Sequence, residues 1–162
     1  FHINISVNTG DVNAPLSAAI AGIMAKIREM TLFLNPTENS YARFGSDKAP
    51  RYISWSAENR SQLIRMPALA GGNPRAELRS PDPCANPYLA FALLIQAGLG
   101  GITVGRELPG ATDCNLYTAK PELLSALQQL PVNLESARRI AGESDFIKKR
   151  IPAAILDAYC GK

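Results

Sequence analysis

Residues 75–102 read RAELRSPDPCANPYLAFALLIQAGLGGI and join a short strand to an apolar helix. Over residues 75–80, polar and apolar side chains alternate with the period of a strand that has one polar face. Asn86 is a preferred N-cap residue and Pro87 suits the first helical position, so a helix is predicted to begin there. Residues 88–97 are apolar nearly all round, which predicts a helix at the centre of the core. The glycine-rich residues that follow are expected to end it.

Upstream of this stretch, the sequence predicts further strands and one long helix. Residues 1–7, FHINISV, alternate strictly between apolar and polar side chains, as in a strand with one buried face. Residues 15–34 carry apolar side chains at helical spacing, and Asn35-Pro36 is expected to end that helix. The remaining predictions are a loop over residues 36–50 and two short β segments over residues 51–56 and 62–66.

Downstream of residue 102, shorter helices are predicted over residues 121–130, 134–141 and 145–159, the last interrupted by Pro152. We therefore expect an α+β domain, in which a curved antiparallel sheet lines a cleft with its polar face and apolar helices pack behind it. Residues 1–102 are expected to hold the site-bearing strands and core helices, and residues 103–162 a helical tail.

Composition narrows the class of protein. The chain has 162 residues, 46% of them apolar, and a net charge of +3, which fits one globular domain and argues against a nucleic-acid partner. No apolar run reaches the roughly 18 residues of a membrane span. The three cysteines, Cys84, Cys114 and Cys160, are odd in number and form no CxxC pair, which argues against a disulfide framework and a zinc site. With no signal peptide visible, we expect a reducing cytoplasm by default. Because the first residue is Phe1 and not methionine, we expect the chain to begin downstream of a translation start.

Two of the predicted strands carry polar side chains on one face. Burying such a face in an apolar core would be costly, so these side chains need charged partners or a ligand. One interpretation is an ion-pair ladder. Another is a divalent metal shared by imidazole and carboxylate, with guanidiniums beside it. The residues concerned are His2, Asn4 and Ser6 on the first strand and Arg75, Glu77 and Arg79 on the last.

Further arginines lie near these strands, at Arg43, Arg60 and Arg65. The guanidinium fork matches phosphate and carboxylate oxygens with paired hydrogen bonds. A cluster of such cations beside a metal is suited to phosphoryl transfer, in which positioning and charge neutralisation do most of the catalysis. The sequence contains no P-loop and no glycine-rich dinucleotide motif. A nucleotide is therefore expected to bind on the sheet surface through arginine and metal.

Four long motifs, in order, resemble the glutamine synthetase family. They are FHINIS at residues 1–6, NPTENSYARF at 35–44, APRYISWSAENRSQLIRMP at 49–67 and PRAELRSPDPCANPYLAFALLIQAGLGGI at 74–102. The resemblance implies the carboxyl-terminal part of the catalytic domain of a ring-shaped homo-oligomer. Enzymes of the family make glutamine from glutamate, ammonia and ATP through γ-glutamyl phosphate.

The resemblance also implies a role for each candidate residue. His2 and Glu77 match ligands of the Mg²⁺ or Mn²⁺ ion that bridges the ATP phosphates. Arg43 and Arg79 match arginines that bind the glutamate carboxylates. The nucleotide is expected to contact Ser6, Arg60, Arg65 and Arg75, and Arg60 is also expected to act in catalysis on the transferring phosphoryl group.

The chain departs from the family pattern at two positions. Asn4 stands where a second histidine is usual, near the nucleotide. Lys48 stands where the family has the glutamate that takes a proton from ammonium, although Asp47 is a possible substitute. The acceptor is therefore ammonia, another amine or none, the last in a non-catalytic relative. Tyr117 matches a tyrosine that some bacterial members modify, or is an ordinary packed tyrosine.

The remaining carboxylate ligands of the family's metals are expected upstream of Phe1. We therefore expect this chain alone to be inactive.

Overall fold

The computed structural model describes residues 1–7, 14–46, 49–67 and 74–161. In this part of the chain, four short strands form one open sheet with the order β1-β4-β3-β2. Two of the three strand pairs, β1–β4 and β3–β4, are antiparallel, as predicted, whereas β2 and β3 run parallel. The strands are β1 (Ile3–Ile5), β2 (Trp55–Ser56), β3 (Ile64–Arg65) and β4 (Ala76–Leu78).

The parallel pair results from the connection between β2 and β3. A hairpin would reverse the chain, but residues 57–63 make a wide turn that returns it in its original direction. Side-chain hydrogen bonds within that turn stabilise it, including the bond from the Asn59 backbone N–H to Ser56 Oγ at 2.9 Å. The predicted antiparallel pairing therefore holds for two of the three strand pairs and not for this one, and the α+β class is confirmed.

Seven helices lie in the described part of the chain. The predicted loop over residues 36–50 contains a short helix, because Thr37 and Ser40 form a capping box at its start. The predicted helix over residues 145–159 is two helices, separated at Pro152. The helices are α1 (Ala14–Leu34), α2 (Glu38–Ala42), α3 (Pro87–Thr103), α4 (Pro121–Ser125), α5 (Leu134–Glu143), α6 (Asp145–Lys148) and α7 (Ala153–Cys160).

Glycine lets α1 and α3 approach each other closely. A Cβ at Gly22 would lie 2.3 Å from the Ala97 carbonyl oxygen, and one at Gly101 would lie 2.2 Å from the Ala18 carbonyl oxygen. The prediction that glycines end the helix was wrong, since α3 continues to Thr103. Gly22 and Gly101 serve the contact between the two helices.

The start of α3 agrees with the sequence: Asn86 is the N-cap, and its side chain accepts from the backbone N–H groups of Tyr88 and Leu89. Its expected central position is only half right. One face packs into the core, with Ala90, Leu93 and Ala97 buried. The other face is exposed and includes Tyr88, Phe91, Ile95 and Leu99.

The tail runs back along residues 51–55, which lead from α2 into β2. The Ile53 N–H donates to the Gln128 carbonyl at 2.8 Å, and the Leu130 N–H donates to the Arg51 carbonyl at 2.9 Å. Trp55 Nε1 donates to the Pro109 carbonyl at 2.6 Å. The tail therefore packs against β2 and the segment that leads into it. No helix in the described ranges is both long and apolar enough to cross a membrane.

Candidate functional site

An ionic cluster lies on one face of the sheet, centred on Glu77 of β4. Strand register places Asn4 of β1 and Arg65 of β3 directly opposite Glu77, so all three side chains share that face. Glu77 Oε2 accepts from Arg65 Nε at 2.8 Å, and Glu77 Oε1 accepts from Arg79 Nη1 at 2.9 Å. The structure thus brings together the polar faces that the sequence predicted for two separate strands.

The cluster is largely buried. The Arg79 side chain is only 3% exposed, and its Nε also donates to the Arg60 carbonyl at 3.1 Å. Burial alone raises the pKa of Glu77. The hydrogen bond from Arg65 and the charges of Arg79 and Arg65 outweigh burial, so this pKa lies below its ordinary value. Glu77 is therefore a carboxylate at neutral pH, and the Glu77–Arg79 contact is the ion pair of the ladder interpretation.

His2, the residue before β1, joins the cluster. Its Nδ1 lies 2.6 Å from Glu77 Oε1. Burial, followed by the positive charge of Arg79, lowers the pKa of His2, and Glu77 opposes this only in part. The ring is therefore neutral at pH 7. A neutral ring that donates from Nδ1 to a carboxylate keeps the lone pair on Nε2, the arrangement common to metal-binding histidines.

The donors fit a divalent cation in type but not in number. His2 Nε2 supplies a nitrogen and Glu77 supplies carboxylate oxygens, which Mg²⁺ and Mn²⁺ accept. In the described residues, no group of three or more His, Cys, Asp or Glu side chains is placed to hold a metal. Both Glu77 oxygens already accept hydrogen bonds from arginine. An ion at this point would need further ligands from elsewhere.

Two candidate arginines stand apart from the ion pairs. Arg60 lies in the turn between β2 and β3, and Arg75 lies just before β4. Both are exposed, and no described residue forms a hydrogen bond or ion pair with either guanidinium. Cations without a protein partner are available for an oxyanion. Arg60 is also tied to the cluster through its carbonyl, which accepts from Arg79.

Ser6 is exposed beyond the end of β1 and is not part of the ionic cluster. It lines a groove of about 510 Å³ between β1 and the helices α1 and α3. Asn4, the position that departs from the family pattern, lines the same groove. The nucleotide contact expected of Ser6 stays a prediction.

Arg43 forms a second cluster. Its Nε lies 3.1 Å from Asp82 Oδ2, and its Nη2 donates to Asn35 Oδ1 at 3.1 Å. Burial raises the pKa of Asp82, but the hydrogen bonds from Cys84 and the charge of Arg43 lower it overall. Arg43 Nη2 also donates to the Ser80 carbonyl at 3.3 Å, next to Arg79 in the chain. Arg43 is thus bonded to the residue that follows Arg79, the other arginine expected to bind glutamate.

Several residues of the site escaped the sequence analysis. Asp82 lies between two prolines just after the predicted strand over residues 75–80, and the sequence analysis gave it no role. The turn residues Asn59, Ser61 and Gln62 carry the hydrogen bonds that hold the Arg60 backbone. The signal that could have found them is the N-R-S tripeptide, since Asn and Ser often bond to nearby backbone. Asp47 and Lys48 lie outside the described residues.

Comparison with known proteins decides the family. The model for the glutamine synthetase catalytic domain matches residues 4–161, nearly the whole chain. The chain belongs to the glutamine synthetase family. Glutamine synthetase of Methanosarcina mazei is 42% identical over 147 residues, which cover 88% of this chain and 33% of that protein. Glutamine synthetase of Clostridium saccharobutylicum is 38% identical over 162 residues, covering 96% of this chain and 37% of that protein.

Solved structures agree with the glutamine synthetase assignment. A complex of GmaS with ADP superposes with a TM-score of 0.82 at 27% identity, covering 99% of this chain and 40% of that one. A ligand-free GmaS structure superposes with a TM-score of 0.78. The chain spans about a third of the length of the curated glutamine synthetases that it matches.

Proposed function

We propose that this chain supplies part of the active site of an ATP-dependent glutamate–ammonia ligase. The observation that carries the proposal is the match of residues 4–161 to the glutamine synthetase catalytic domain. In this reaction the glutamate side-chain carboxylate attacks the γ-phosphorus of ATP, and the bond to ADP breaks. Ammonia then attacks the acyl carbon of γ-glutamyl phosphate, and phosphate leaves. The product is glutamine.

The arginines of the chain have distinct tasks in this scheme. Arg60 and Arg75, whose guanidiniums bond to no described residue, bind phosphate oxygens of ATP. Arg60 further stabilises the charge on the transferring phosphoryl group. Arg65 holds Glu77 at 2.8 Å and also faces the nucleotide. Arg43 and Arg79 bind the glutamate carboxylates, for which each must give up or share its present carboxylate partner.

Mg²⁺ or Mn²⁺, when bound, neutralises phosphate charge. His2 and Glu77 are the residues of this chain that would hold it, together with ligands from outside the described residues. The hydrogen bond between them orients the imidazole ring. The whole protein is proposed to be a cytoplasmic homo-oligomer.

The experiment is an assay of the purified whole protein with ATP, glutamate and ammonium. We expect equal amounts of ADP and glutamine, measured by coupled phosphate release and mass spectrometry. The Arg60→Gln variant should lose most of the activity. Absence of ADP formation with ammonium and with every amine offered would contradict the proposal and leave a binding or regulatory relative.

A second candidate function is γ-glutamyl transfer to another amine. The observation that favours it is Lys48, which replaces the family's ammonium-binding glutamate. A cationic side chain does not attract ammonium. Parallel assays with ammonium and with small primary amines separate the two functions by kcat/KM. The 162-residue chain alone is expected to form no product in any of them.

A further inference from the structure

The connection between β2 and β3, residues 57–63, is named here the Arg60 turn. It is held on both sides of Arg60. Asn59 Oδ1 accepts from the Ser61 N–H at 2.9 Å and from Ser61 Oγ at 2.8 Å. The Arg60 carbonyl accepts from Arg79 Nε at 3.1 Å. The backbone of Arg60 is therefore fixed, while its guanidinium is exposed and bonded to no described residue.

Ser61 also ties this turn to the tail. Its Oγ accepts from the Leu116 N–H at 2.8 Å while it donates to Asn59. Beside it, Gln62 Nε2 donates to the Cys114 carbonyl at 2.9 Å, and Gln62 Oε1 accepts from Ser54 Oγ. Ser61, Gln62 and Leu116 are all buried. Because water has little access to them, these bonds have no ready substitute when one partner is removed.

We propose that Ser61 is a positioning residue for Arg60, and that tail residues 114–116 are the support against which it holds the turn. The proposal rests on the proposed function, in which Arg60 binds the phosphates of ATP. A long side chain places its charge accurately only from a fixed backbone, and small displacements of a catalytic group cost large factors in rate. Ser61 fixes the residue next to Arg60 and connects it to a segment more than fifty positions away in the chain.

The test is a double-mutant cycle in the whole protein with Ser61→Ala, Arg60→Gln and the double variant, read as kcat/KM for ATP. Coupled residues give non-additive effects. Ser61→Ala alone is expected to lower kcat/KM for ATP about tenfold, because the turn shifts Arg60. In the Arg60→Gln background, the same change is expected to cost less than about twofold, since no guanidinium remains to be misplaced.

Thr31→Val is the matched control. Thr31 is equally buried, and its Oγ1 donates to the Ile27 carbonyl at 2.7 Å within α1. This variant loses a buried hydroxyl away from the turn and should keep kcat/KM for ATP within about twofold of the wild type. If Ser61→Ala yields no folded protein, Gln62→Met replaces it in the cycle, because it removes the neighbouring bond to Cys114.

The outcomes distinguish failure of the positioning proposal from failure of the phosphate-binding role of Arg60. Equal losses from Ser61→Ala in both backgrounds would show a purely structural role and overturn the positioning proposal alone. If Arg60→Gln leaves kcat/KM for ATP unchanged, the phosphate-binding role of Arg60 fails, and positioning fails with it. If Ser61→Ala lowers kcat/KM for ATP only in the protein that retains Arg60, the proposal is supported.

Discussion

At the residue scale, the chemistry of the site depends on one carboxylate that three cationic or polar side chains share. Glu77 contacts His2, Arg65 and Arg79 within 2.9 Å. The buried Arg79 guanidinium depends most on it, since removing one partner of a buried pair leaves an uncompensated charge. Glu77 therefore serves stability as well as the proposed metal binding.

Glu77→Ala is expected to lower the free energy of unfolding of the chain by about 3–5 kcal/mol, because Arg79 stays buried without its partner. Urea unfolding followed by circular dichroism measures this. The control is Glu143→Ala, which removes the exposed pair with Arg139 at 3.2 Å. That change should cost less than about 0.5 kcal/mol. Similar losses for the two variants would contradict the structural role of Glu77.

Stability is also expected to depend on pH through Asp82. The folded chain lowers the pKa of this carboxyl, so the unfolded chain binds more protons in acid. The stability that Asp82 contributes is complete above its ordinary pKa of 3.8 and is lost as pH falls through the lower folded value. The lowered pKa of Glu77 acts in the same direction.

Unfolding in urea at several values between pH 5 and pH 2 checks this. The wild type should lose stability below about pH 4, and Asp82→Asn should show a shallower slope there, because that variant has one less carboxyl to protonate. Parallel curves for the two proteins would show that Asp82 carries none of the dependence.

The residues of the ionic cluster were predictable from the sequence, but the pairs that they form were not. Alternation along two strands places His2, Glu77 and Arg79 on polar faces, since strand side chains have a period of two. Which residue lies opposite which depends on pairing between distant segments, and periodicity carries no such information. The partner of Arg43 was missed for the same reason, because Asp82 lies 39 positions away in a stretch that local rules treat only as a turn.

At the element scale, the contact between α1 and α3 decides how the core is built. Sequence rules treat glycine as a helix terminator, because it is flexible and lacks a side chain. Here Gly22 and Gly101 lie at the closest approach of the two helices, where backbone atoms leave no room for a Cβ. Packing between the two helices outweighs the low helix propensity of glycine, and this is why the end of α3 was mispredicted.

Two glycines of α3 provide a matched pair of variants. Gly101→Ala places a Cβ 2.2 Å from the Ala18 carbonyl oxygen, so overpacking should destabilise the chain by about 1–3 kcal/mol or more. Gly100→Ala meets nothing within 4 Å and should stabilise the chain by about 0.5–1 kcal/mol through helix propensity. Thermal and urea unfolding measure both. Opposite signs are expected, and a stabilised Gly101→Ala would contradict the close packing.

At the scale of the whole molecule, one side of the chain is unusually apolar for a surface. The outer face of α3 exposes Phe91, Ile95 and Leu99, and the groove beside it continues to the edge of β1 that pairs with no described strand. Large apolar patches and unpaired strand edges both favour association. We expect the isolated chain to self-associate through this side.

Sedimentation velocity at several concentrations tests this prediction. The double variant Ile95→Gln and Leu99→Gln should move the chain toward monomer, because these side chains are 58% and 51% exposed and contribute more to a contact than to the core. Val132→Gln changes an apolar residue outside the patch that is 67% exposed, more than Ile95 or Leu99, and should leave association unchanged. A wild-type chain that is monomeric at all concentrations would contradict the prediction.

The bond between Ser61 and Leu116 also bears on the order of events during synthesis. These residues lie 55 positions apart, so the Arg60 turn cannot acquire its support until the ribosome has made that much more chain. Chains emerge at about 5–20 residues per second, so the delay is several seconds. During this interval β2, β3 and the exposed guanidinium of Arg60 are present without the tail that supports the turn. A truncation that ends before residue 114 would therefore carry every arginine of the site and still lack the mature shape of the turn.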